Sequence, residues 1–208
     1  MTEELPVTGV RPLLKFLILA AMGGMLSGCA ATVVGAGASA GVAAAEERGI
    51  DGAIDDLKIR TEINHLWFQK DVEMYRKVTL NISEGRVMLT GVVPTDAARA
   101  DAVRLSWQVS GVKEVLNEIK VLPAGESGWD QANDLWIQNK LKARLLTDGD
   151  VKNINYIIDV TDSVVYLLGI AQSSAELDRV IAHARDTSGV RRVISHVRLK
   201  TDPKRIGG

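Results

Sequence analysis

Apolar residues recur at intervals of four in two places, Ile59, Ile63 and Trp67 and then Ile137, Leu141 and Leu145, the spacing of one face of a helix. After each stripe the period drops to two. Val78, Leu80 and Ile82 alternate with polar residues and Val87 and Leu89 keep the same spacing of two, which predicts strands over roughly 76–83 and 86–92 and, further on, 154–161 and 164–170. Ser83-Glu84-Gly85 and Thr161-Asp162-Ser163 supply turn chemistry between the paired strands. A second helix is expected from near Thr95 or Ser173, where Ser173 and Glu176 have the spacing of a capping box, and its apolar side in the later segment is Leu177, Val180, Ile181 and Ala184. Gly111 and Gly189 are expected to end these helices in the left-handed conformation, and final strands to run from Val112 to Val121 and from Val190 to Leu199. The order is helix, strand, strand, helix, strand, written twice.

The two halves align without a gap at an offset of 78 residues: Val87, Leu89, Gly91, Ser110, Gly111, Val112 and Val115 fall on Val165, Leu167, Gly169, Ser188, Gly189, Val190 and Val193. Upstream, Leu57 and Ile59 fall on Leu135 and Ile137, so the chain is a duplicated unit. Equivalent positions share an environment. Trp67 matches Leu145 and is expected in the core; Trp107 matches Arg185 and is expected at a rim; Trp136 matches Lys58, off the buried stripe, and is expected to be at least partly exposed. The element order, a glycine ending the second strand, an alanine-bearing helix and a Gly-Val before the last strand resemble the BON domain family, over residues 51–122 and 129–200. That resemblance implies an α+β fold of two tandem domains, each with two helices on a small three-stranded mixed sheet. A linker, 123–128, and a C-terminal tail, 201–208, complete the division.

Arg11 and Lys15 precede the apolar run Phe16 to Leu26, which is too short for the roughly 20 residues of a spanning helix but suits the core of a signal peptide. Leu26-Ser27-Gly28-Cys29 follows and resembles the bacterial lipobox. On that reading residues 1–28 are a removable leader and Cys29 carries the acyl chains; a free cysteine in an ordinary membrane anchor is the alternative. Residues 29–50, rich in glycine and alanine, read as a flexible or loosely helical tether. Ala30 and Ala31, where retention in the inner membrane commonly uses aspartate, favour the outer membrane with the domains facing the periplasm. A lipobox ahead of two such domains resembles the dual BON-domain outer-membrane lipoproteins of Gram-negative bacteria, which implies a part in envelope integrity and binding of anionic phospholipid.

Composition narrows the chemistry. Among 208 residues the formal charge is -1, which provides no global field for nucleic acid. One cysteine excludes an intramolecular disulfide, and His65, His183 and His196 are too scattered for a metal motif, so neither metal nor cofactor is expected. Asp55-Asp56 and Asp130 with Asp134 lie near helix starts, where carboxylates serve caps and the macrodipole, and no serine occupies a nucleophile elbow. His183 beside the apolar stripe and His196 on an outward strand position are expected to be solvated, and no enzymatic activity is expected. The stretch DLWIQNKLKARLL holds Lys140, Lys142 and Arg144 without an intervening acid, next to Trp136. An amphipathic aromatic beside cations suits a headgroup interface, so Trp136 and Lys140 lead the candidate phospholipid-binding residues, with Leu135, Asn139 and Arg144 behind them. Lys142 points away from Lys140 by about 160°. Packing of Trp136 against the first copy across PAGESGW, residues 123–129, is the competing structural role, and an adaptor for an envelope enzyme or assembly machine is the competing function.

Overall fold

The computed structural model describes residues 41–123 and 129–206; the expected leader, Cys29 and most of the tether lie outside the described residues. The first copy comprises α1 (Gly49–Lys70), α2 (Val72–Lys77), β1 (Val78–Ser83), β2 (Arg86–Val93), α3 (Asp96–Ser106), β3 (Glu114–Asn117) and β4 (Lys120–Val121). The second comprises α4 (Gln131–Thr147), a 3-10 turn (Asn153–Asn155), β5 (Tyr156–Thr161), β6 (Val164–Ala171), α5 (Ser174–Arg185), β7 (Arg192–Leu199) and the short α6 (Pro203–Ile206). In each copy the first two strands form an antiparallel hairpin and the last strand adds in parallel to the central one, giving a mixed sheet. The fold is α+β, with the duplicated order read from the sequence.

The hairpins close through Glu84-Gly85 and Asp162-Ser163, all four at positive φ (56°, 75°, 52° and 59°), the double left-handed conformation whose twist matches that of the strands. Beneath each turn lies a carboxylate from the first helix. Asp56 accepts from the N–H groups of Glu84 (3.0 Å) and Gly85 (2.8 Å), and Asp134 from those of Asp162 (2.6 Å) and Ser163 (2.7 Å). These acids are therefore turn clamps rather than helix caps, which corrects the expectation for them; Asp130 does cap α4, accepting from the Asn133 N–H. The framework glycines at the far end of the hairpin have a steric cause. At Gly91 (φ 108°) a Cβ would stand 2.2 Å from the Lys77 carbonyl oxygen, and at Gly169 (φ 137°) 2.0 Å from that of Asn155.

Some boundaries differ from the sequence pattern. The second helices end at Ser106 and Arg185, so Gly111 and Gly189, at φ 89° and 90°, serve the turn before the last strand rather than the helix end. In the first copy that strand is interrupted after Asn117, whose side chain accepts from the Ile119 N–H, whereas β7 runs unbroken. Ser173 caps α5, but Glu176 turns to the N–H groups of Lys152 and Gln172 instead of completing a reciprocal box.

Each pair of long helices covers one face of its sheet: Ile59, Ile63, Trp67, Ala102 and Leu105 seal the first core, and Ile137, Leu141, Leu145, Val180 and Ala184 the second. The opposite sheet faces pack on one another through Met88, Val164, Tyr166 and Leu168, with Leu116, Ile157 and Ile194 around them. Layers therefore run helix, sheet, sheet, helix. Sandwiched on both sides, β2 and β6 are buried at every position, which is why VVYLLGIA is a continuous apolar run without alternation. Polar contacts rim this junction: the ion pairs Lys120–Asp162 at 2.7 Å and Arg198–Glu114 at 3.0 Å, and a hydrogen bond between His196 and Glu118 at 2.8 Å. Residues 46–48 lie across both copies, where Arg48 reaches Asp56 and Glu47 reaches Lys200.

Candidate functional site

Helix α4 turns Ile137, Leu141 and Leu145 inward, leaving its other face open. Leu135 and Trp136 are 58% and 51% exposed, and Asn139 is exposed beside them. The Lys140 ammonium lies 4.5 Å from the centroid of the Trp136 ring while donating to the Ser188 hydroxyl at 2.6 Å. A cation stacked on an indole keeps both its charge and the aromatic rim at one surface. Thus Leu135, Trp136, Asn139 and Lys140 share a surface. Arg144 does not join them, because its guanidinium turns to the other helix, 3.4 Å from the His183 carbonyl and 3.4 Å from the Thr187 hydroxyl.

The copies meet through their sheets, and Trp136 lies on the outer helical layer, so the alternative in which it packs against the first copy is overturned. Trp67 is wholly buried and its indole N–H donates to the Ala102 carbonyl at 3.2 Å, while Trp107 is half exposed. Leu146, 71% exposed, extends the open face and was absent from the sequence candidates. Its signal was available: eleven residues after Leu135 at 100° per residue returns to within about 20° of it.

The histidines correct a further expectation, since neither His183 nor His196 is a free surface group. His183 is 2.6 Å from Asp148 and His196 meets Glu118 across the copies. Asp148 is also held by Arg179 at 2.7 Å. Hydrogen bonds from His183, then Arg179, hold its carboxyl well below the usual range. The equivalent positions in the first copy, Lys70 and Asp101, form the same bridge with reversed signs at 3.2 Å. These residues tie the first helix of each copy to the second.

Helix α1 also has an exposed apolar side, Ile50, Ile54, Leu57 and Phe68, of which Leu57 and Phe68 match Leu135 and Leu146. It lacks the aromatic–cation pair, because Lys58 stands at the position of Trp136 and bonds Asp55 at 3.0 Å.

The family model of the BON domain matches residues 55–123 and again 133–201. The chain is 44% identical over 147 residues to an uncharacterized protein in the gshII 5′ region of Anaplasma centrale, covering 71% of this chain and 96% of that one. It is 33% identical to outer membrane lipoprotein DolP of Haemophilus influenzae, covering 88% of this chain and 94% of that protein. It is also similar to osmotically-inducible protein Y of Escherichia coli, at 28% identity over 71% of this chain and 74% of the other.

Proposed function

The chain belongs to the BON-domain family, with two copies of the domain, and from that premise we propose that it is a non-catalytic outer-membrane lipoprotein that binds anionic phospholipid and helps maintain the envelope. Acylation at Cys29 anchors it, and the domains face the periplasm. Likeness to an outer membrane lipoprotein over 88% of the chain supports the place, and the open face of α4 supports the activity.

The observation that carries the lipid reading is the Trp136–Lys140 pair beside Leu135 and Leu146 on a surface turned away from the other copy. The apolar side chains enter the headgroup boundary, the indole settles at the interface, and the ammonium meets phosphate. A basic residue near an anionic surface contributes about 1 kcal/mol, too little for stable attachment by itself. Acyl chains at Cys29 raise the effective concentration so that weak contact becomes populated.

Flotation of a chain beginning at residue 41 with phosphatidylglycerol or phosphatidylcholine vesicles tests this without the anchor. Preference for the anionic vesicles, reduced by Trp136→Ala and by Lys140→Glu with unchanged circular dichroism, is the expected result. Equal recovery with both vesicle types removes lipid binding and favours a protein-adaptor role.

A further inference from the structure

In the first copy α1, the hairpin turn and the turn before β3 bound a groove, and duplication places different side chains at the equivalent positions of the second copy. In the second copy those positions hold Trp136 and Lys140, and Lys140 closes on Ser188. In the first copy the corresponding residues are Lys58, Glu62 and Ser110, and there the groove is an open cleft of about 570 Å³. Its far wall comes from the second copy, as Arg198, Lys204 and Arg205.

The charge in this cleft is unbalanced. Six lining side chains are cationic and four are carboxylates, in a chain whose formal charge is -1. Three of the four acids are paired, Asp56 with the hairpin amides and Arg48, Glu84 with Arg205 at 2.9 Å, and Asp55 with Lys58, which leaves Lys113, Lys204 and Arg198 against Glu62. Lys113 and Lys204 are exposed and have no carboxylate at ion-pair distance among the described residues. Arg198 adds a guanidinium paired with Glu114 at 3.0 Å.

We propose that this cleft binds a phosphate group, carried either by a soluble phosphate ester or by a phospholipid headgroup. Lys113 and Lys204 supply point charges, and Arg198, paired with Glu114 through one terminal nitrogen, supplies further N–H donors in a fixed plane, the complement that phosphate oxygens require. The site is separate from the outer face of α4 and does not depend on it. It needs both copies, since its walls come from each.

The full chain in non-ionic detergent, titrated with inorganic phosphate and with glycerol 3-phosphate at constant ionic strength, tests the proposal. Saturable shifts of the Gly85, Ser110 and Gly111 amide resonances are expected, with Lys113→Glu and Lys204→Glu each weakening binding about tenfold and Trp136→Ala leaving it unchanged. A second arm places the full chain in phosphatidylcholine bilayers with and without phosphatidylglycerol. Shifts at the same amides that require phosphatidylglycerol assign the site to a headgroup, whereas saturation by soluble phosphate assigns it to small esters. Shifts that stay linear like a chloride control in solution, and show no headgroup dependence in bilayers, overturn the proposal. So does binding that Trp136→Ala abolishes and Lys113→Glu spares.

Discussion

Replacing Asp134 by asparagine changes one atom in a buried cradle, and the cost follows from counting donors. Asp134 is 4% exposed. Its Oδ1 accepts from the Ser163 N–H at 2.7 Å, and its Oδ2 from the Asp162 N–H at 2.6 Å and the Trp129 indole at 2.7 Å. Every partner is a donor, so an asparagine amide keeps one acceptor oxygen and must turn its NH₂ towards N–H groups, where it repels. Hydrogen bonds to a charged group contribute about 1.5–3 kcal/mol each, and the turn is partly exposed, so water recovers some of the loss. Asp134→Asn is expected to cost about 2–3 kcal/mol and Asp134→Ala about 3–5 kcal/mol. Urea unfolding followed by circular dichroism and by tryptophan fluorescence measures both. An asparagine variant within about 0.5 kcal/mol of the parent would refute the clamp, because a merely solvated acid near a helix start costs that little to replace.

Gly169→Ala brings a methyl group to 2.0 Å from the Asn155 carbonyl oxygen at φ 137°, and is expected to destabilise by more than about 3 kcal/mol, read as a drop in Tm. Asp159, half-buried at the junction and bonded by the Thr90 hydroxyl, has its carboxyl raised chiefly by burial. The native state therefore holds its proton more tightly than the unfolded chain: the stability linked to this site is complete below the ordinary value of 3.8 and is lost as pH rises through the raised one. Asp159→Asn, which imitates the protonated form, should raise Tm at neutral pH, with the gain vanishing in acid; no gain at neutral pH would contradict the sign. The reversed bridges Lys70–Asp101 and Asp148–Arg179 predict that Asp148→Lys lowers Tm and that adding Arg179→Asp restores part of it, measured as a double-mutant cycle.

The duplicated order, the helix stripes, the hairpins and the burial of Trp67 were legible in the sequence because each depends on local period or on the match between repeats. Exposure of Trp136 followed from the same comparison, since a position that holds lysine in one copy is not core in the other. What the sequence lacked was direction at long range. Asp134 near a helix start looks like a cap until the hairpin, nearly thirty residues later, folds its amides over it. His196 looks outward on its strand, and only the back-to-back sheets bring Glu118 to it from the other copy. Arg144 belongs by charge with Lys140, yet its guanidinium is drawn to the carbonyl and hydroxyl groups of the neighbouring helix. Local pattern decides which face of an element is apolar. Which apolar face meets which, and hence where the remaining charges gather, depends on contacts between distant segments, and those the tertiary structure alone decided.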